Sequence, residues 1–81
     1  MPVVGRYNGY RIHFFANEGS PREPVHVHVK RDGPAAKFWL RPFVRLDYND
    51  GIGARDLREL TLVIQRDRDR LERAWNEFFG S

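Results

Sequence analysis

The chain has no cysteine among its 81 residues. Disulfide staples and thiolate metal sites are thereby excluded, and stability has to come from packing. Long apolar runs are also missing, since stretches such as Leu62-Val63-Ile64 are far too short to span a bilayer. At its start, Met1-Pro2-Val3-Val4-Gly5-Arg6 reaches a charge before the apolar core of a signal peptide can develop. These features point to a soluble, cytoplasmic protein. There is no internal repeat, Gly-rich phosphate loop, nucleophile elbow or zinc-finger spacing, and no cofactor is expected.

What is present fits one small domain over residues 1–81, with six Phe, three Tyr and two Trp to fill its core. Net charge is +3 and unevenly spread. Residues 1–46 carry eight Lys/Arg against three Asp/Glu, or +5, while residues 47–81 carry six against eight, or −2. A basic first half suggests an anionic partner.

Asn8-Gly9 is a strong hairpin signal, because a type I′ turn needs positive φ at both central residues. A two-residue loop there pairs Tyr7 with Tyr10, Arg6 with Arg11, Gly5 with Ile12, Val4 with His13 and Val3 with Phe14, joining strands Val3 to Tyr7 and Tyr10 to Ala16. Val3, Tyr10, Ile12 and Phe14 form its apolar face, and Arg6 opposes Arg11 on the other. Residues 17–24, rich in Gly, Ser and Pro, read as a loop carrying Glu18 and Glu23. Arg31-Asp32-Gly33-Pro34 is the second turn, and it opposes Val29 to Ala36, His28 to Lys37, Val27 to Phe38 and His26 to Trp39.

Val44, Leu46 and Tyr48, alternating with Arg45 and Asp47, suggest a fifth strand. From Ala54 the period becomes helical, through Leu57, Leu60, Ile64, Leu71, Trp75 and Phe78. Gly53 is the candidate N-cap. The apolar-free run Arg66 to Arg70 marks a bend or a junction between two helices, although Arg68 with Glu72 and Asp69 with Arg73 stand at helical spacing. The predicted architecture is α+β: an antiparallel sheet of four or five strands, built from two hairpins, with one bent or two C-terminal helices on one face.

The chain is organised around Val25-His26-Val27-His28-Val29-Lys30. Strict alternation sends the valines to a core and places His26, His28 and Lys30 on the opposite face, with the two histidines about 6.6 Å apart along the strand. Alternation and turn counting add Arg6, Arg11, His13, Lys37, Trp39 and Arg41 to that face. A sheet with one covered side must show water something polar, and charged strands discourage edge pairing. Solubility, however, requires neither opposed arginines nor a His-x-His pair.

Three functional readings fit this face. In the first, His26 and His28 act as metal-independent general acid and base on a phosphodiester, with Lys30, Lys37 and Arg11 stabilising phosphate charge and Trp39 stacking on a base. Lys37 opposite His28 is then expected to disfavour the protonated imidazole. In the second, the histidines hold a transition metal completed by Glu18, Glu23 or His13; this ranks below proton transfer, because His-x-His alone is a weak signal. In the third, the face binds nucleic acid or an acidic protein without turnover, a reading weighted about equally with catalysis because it needs fewer coincidences. Trp75 and Phe78 read as helix-to-sheet packing.

The segments Phe14-Phe15-Ala16-Asn17-Glu18, Pro24-Val25-His26-Val27-His28-Val29, Ala36-Lys37-Phe38-Trp39-Leu40, Leu57-Arg58-Glu59-Leu60 and Trp75-Asn76-Glu77-Phe78-Phe79 together resemble the small bacterial family DUF4160. The resemblance covers essentially the whole chain. One departure is Gly53, where the family often has a serine before the first helix. Relatives are often encoded beside another small protein, in an arrangement read as a toxin-antitoxin pair. The resemblance thus implies a cytoplasmic protein with a small antitoxin-like partner and an RNA target, and family-like positions at Glu18, His26, His28, Lys37 and Trp39. A homo-oligomer is compatible with all of these readings. The leading expectation is a toxin-antitoxin-type module acting on or binding RNA; the alternative is a non-catalytic interaction protein.

Overall fold

The computed structural model describes residues 2–16 and 23–80; Glu18 lies outside them. The elements run β1 (Val3–Tyr7), β2 (Tyr10–His13), β3 (His26–Lys30), β4 (Ala35–Trp39), β5 (Arg45–Asp50), α1 (Ala54–Arg66) and α2 (Arg68–Phe79). All five strands form one antiparallel meander in the order β1-β2-β3-β4-β5. The expected α+β architecture is the observed one.

The first hairpin turns where its sequence requires. Asn8 and Gly9 have φ of 50° and 82°, and the ladder begins at Tyr7↔Tyr10. Below Gly5↔Ile12 the pairing slips: Val3, not Val4, meets His13. The inserted residue reverses the expected parity. Val4 packs against the core while Val3 is exposed, so Val3 leaves the apolar face assigned to it. The bulge carbonyl of Val4 accepts a 2.8 Å hydrogen bond from Arg70 Nη1.

β2 ends at His13 rather than Ala16. The Phe14 amide still donates to the Pro2 carbonyl at 3.1 Å, but beyond it no residue of β1 remains to pair. The second hairpin matches its expected register at all four positions, with Asp32 left-handed in its loop. A second bulge follows in β5, where Phe38 pairs with Leu46 and Lys37 with Tyr48. Asp47 is the extra residue, and Tyr48 therefore leaves the side it was expected to share with Val44 and Leu46.

One face of the sheet builds the core. Ile12, Phe14, Val27, Val29 and Phe38 meet Leu60, Ile64, Leu71 and Trp75 in one buried cluster. Asn49 closes the approach to α1, accepting from the Ile52 amide at 3.0 Å and donating to its carbonyl at 2.8 Å. Gly53 caps α1 by backbone alone. At Asp67 the helix bends without losing its ladder, because Asp67 N bonds Val63 O at 3.0 Å and Leu71 N bonds Asp67 O at 2.9 Å. The last turn closes on left-handed Gly80, the position where a glycine costs least.

Tyr10 fastens α1 to the sheet. It is buried, donates to Asp56 at 3.0 Å and carries the Arg31 guanidinium 4.5 Å above its ring. Burial, reinforced by this hydrogen bond to a carboxylate, raises its phenol pKa. Tyr10→Phe removes one such bond while Arg31 still pairs with Asp56 at 3.6 Å. A loss of about 1 kcal/mol in urea-unfolding free energy is expected.

Candidate functional site: the histidine-bearing sheet face

The side of the sheet facing away from the helices is laid out in three rows by the ladders. Arg6, Arg11, Lys30, Ala35 and Asp50 form the first, and Val3, His13, His28, Lys37 and Tyr48 the second. His26, Trp39 and Arg45 form the third. Of the residues assigned to this face from sequence, eight stand in these rows and Arg41 does not. The chain leaves β4 after Trp39, and Arg41 Nε reaches Glu72 of α2 at 2.9 Å. Arg41 is therefore corrected to a fastener between the β4–β5 connection and α2.

The middle of the face differs from a solvated basic surface. His13, His26 and His28 are 1%, 0% and 6% exposed. His13 and His28 are stacked at 5.6 Å between centroids and 18° between planes, while His26 meets His28 edge-on at 5.1 Å. Phe15 lies over the pair, 5.0 Å from His13 and 4.4 Å from His28. His26 is enclosed by Trp39 at 5.3 Å and by Trp75 of α2 at 4.9 Å. Its Nδ1 stands 2.8 Å from the Pro24 carbonyl, so this nitrogen carries the proton. Among the described residues no group of three His, Asp or Glu side chains is placed to hold a metal.

Lys37 also has internal work. Its Nζ lies 3.3 Å from Glu23 and 3.6 Å from Asp47, and 4.3 Å above the Trp39 ring. The charge that was expected to act on His28 and on a phosphate is thus met by two carboxylates. Arg6, Arg11 and Lys30 are different, because no described carboxylate lies within ion-pairing distance of any of them. They occupy one row on three adjacent strands, Arg6↔Arg11↔Lys30, with Arg6 and Lys30 exposed and Arg11 half-buried. The nearest acid in the row, Asp50, is two strands beyond Lys30, about 10 Å away. Like charges placed directly opposite destabilise a sheet, by a magnitude on the order of a few tenths to 1 kcal/mol for each pair.

Sequence reasoning missed three members of this surface. Arg45 and exposed Tyr48 share the face through the Asp47 bulge, and Phe15 covers the histidines just past the end of β2. Only the polar alternation of Arg45 with its neighbours was a usable signal.

The arrangement defines a class: a five-stranded α+β meander backed by a bent helical pair, with a cationic row and buried imidazoles on its free side. The family model described as "Domain of unknown function (DUF4160)" matches residues 9–76, and the chain belongs to that family. No curated protein and no solved structure matches it. Among the described residues no helix is long and apolar enough to cross a membrane.

The helix side offers a pH-dependent contact. Hydrogen bonds from the Arg41 guanidinium hold the Glu72 carboxyl below its ordinary pKa, against the opposing effect of burial. Because the folded value is depressed, the pair contributes fully above the ordinary glutamate value of about 4.3 and its contribution is lost as pH falls through the folded value. Arg41→Gln should therefore lower the thermal midpoint at neutral pH. The gap from wild type should close on acidification below that value, as followed by circular dichroism across a pH series.

Proposed function

We propose that the protein is a small RNA-binding module of toxin-antitoxin type, working in the cytoplasm, that holds the phosphate backbone on its helix-free sheet face. The observation that carries this reading is the row Arg6↔Arg11↔Lys30, three aligned cations without a described carboxylate partner. Such a row is unfavourable alone and becomes favourable when phosphates stand over it. Trp39 and Tyr48, with Arg45 paired to Trp39, supply aromatic and cationic groups along the same face, the combination that favours single-stranded nucleic acid. Binding without turnover is preferred over proton transfer. His26 is closed in by two tryptophans, and the three imidazoles support the platform from within.

Fluorescence anisotropy with a single-stranded RNA oligonucleotide tests the reading. Three phosphate contacts give a slope of about −2 for log K against log salt. The RNA should also remain intact on a denaturing gel. Absence of binding at low salt would sink the proposal. Cleavage that persists in wild type and vanishes in a folded His28→Gln variant would move the assignment to a ribonuclease.

A further inference from the structure

The two edges of the sheet are not alike. On β1 the bulge carbonyl of Val4 is taken by Arg70. On β5, which has β4 as its one neighbour among the described strands, all six residues are exposed, Leu46 and Tyr48 by 41% and 47%. Charges and a bulge ordinarily blunt such an edge against pairing. Here both also fit it to pair with itself.

The backbone is suitably directed. Arg31 N donates to Pro34 O at 3.0 Å, and bonded and non-bonded pairs alternate outward from that point along β3 and β4. Ala36 and Phe38 accordingly bond β3, while Ala35 and Trp39 bond β5. Leu46, opposite Phe38, and Asn49, opposite Ala36, are left with N–H and C=O groups directed away from the sheet.

The side chains agree. Arg45 pairs with Trp39 and Asp50 with Ala35, four residues apart on β4 and therefore on one face. Residues five apart on an unbroken strand face opposite ways, and the inserted Asp47 brings these two to the same side. An antiparallel copy of β5 then fits across a two-fold axis between Asp47 and Tyr48. Leu46 of each copy exchanges backbone bonds with Asn49 of the other, and Asp50 of each faces Arg45 of the other. Shifting this register by one residue either way opposes residues from different faces. No described carboxylate lies within ion-pairing distance of Arg45, and no described cation within that distance of Asp50. Each therefore brings an unmatched charge to the contact. Asp47, already 3.6 Å from Lys37, meets Tyr48 rather than another acid.

We infer that two copies of this chain join edge to edge through β5 into one continuous antiparallel sheet. The contact is isologous, so each of its pairs occurs twice. On the helix-free face the row Arg6, Arg11, Lys30, Ala35 and Asp50 then runs on into the second copy's Arg45 and Trp39. The cationic surface thus continues across the two-fold axis.

Sedimentation equilibrium of the full chain without nucleic acid, over a micromolar to millimolar series, tests the inference. Wild type should form a dimer. Arg45→Asp and Asp50→Arg each set like charges opposite one another at two places, and each should weaken association at least about tenfold. The double variant Arg45→Asp/Asp50→Arg restores both pairs and should recover the dimer. Both positions are exposed, and unchanged circular dichroism confirms the fold. A wild type that stays monomeric throughout overturns the inference, as do single variants that associate unchanged or a double variant no better than either. A dimer weakened by Val3→Lys on β1 but not by Arg45→Asp overturns it by moving the contact to the other edge. RNA binding by a monomeric wild type would remove the dimer and leave the RNA-binding reading standing.

Discussion

Trp75→Ala should destabilise the fold by about 3–5 kcal/mol, the usual cost of truncating a buried tryptophan to a methyl group. Trp75 is 2% exposed and touches both sides of the sheet end. On the core side it meets Phe14 edge-on at 5.2 Å and Phe79 at 4.3 Å, and on the other it closes over His26. Small domains have only about 5–15 kcal/mol to lose, so the variant should unfold at markedly lower urea or fail to fold at 37 °C. Phe78→Ala is the control. Phe78 is 45% exposed, and its loss should cost well under half as much. Equal midpoints for the two variants would contradict the bridging role of Trp75. If Trp75→Ala folds at low temperature, the His26 ring resonances should shift, because one wall of its enclosure has gone.

The second large effect is expected on RNA binding. Arg11→Glu combined with Lys30→Glu removes two adjacent cations and places one carboxylate directly opposite Arg6 and a second one strand further on. Hydrogen bonds to charged groups are worth about 1.5–3 kcal/mol each, so affinity for single-stranded RNA should fall at least about 100-fold at moderate salt. With one phosphate contact left, the salt slope should shrink from about −2 to about −0.7. Stability should hold, since the repulsion between positions 6 and 11 becomes an attraction while positions 11 and 30 stay like-charged. That combination separates a binding defect from misfolding. Unchanged RNA affinity with an intact fold would remove the cationic row from any role in binding.

Much of the frame was legible in the residues because the relevant forces are local. Asn8-Gly9 tolerates the left-handed backbone of its turn, and counting outward from Asp32-Gly33 reproduces the pairing of His26 with Trp39 and His28 with Lys37. Helical spacing identified the core side of α1 and α2, and the charged run at residues 66–70 marked the bend at Asp67. The two bulges were not legible. Alternation has no term for an inserted residue, and each bulge moved a side chain across the sheet: Val3 in β1 and Tyr48 in β5. Arg41 was misplaced for a related reason, as strand parity was extended past the residue where β4 ends.

The candidate site divides in the same way. The Arg6↔Arg11 opposition follows from the turn alone, while its extension to Lys30 needed the pairing of β2 with β3, which no short turn specifies. The burial of the histidines was invisible to alternation, which reports only the side of the sheet on which a residue points. Phe15, Trp39 and Trp75 reach them from three separate elements.

By itself the sequence determined the turns, the strand and helix periods, the facing pairs within each hairpin and the positive charge of the free face, because each depends on backbone geometry over a few residues. Only the tertiary structure decided which of those charges are neutralised and which have no acid beside them among the described residues. It set Lys37 between Glu23 and Asp47, turned Arg41 to Glu72 and left Arg6, Arg11 and Lys30 in one row. The physical reason is range: a charge or an imidazole takes its character from whatever approaches within a few ångströms, and folding brings those groups from distant parts of the chain.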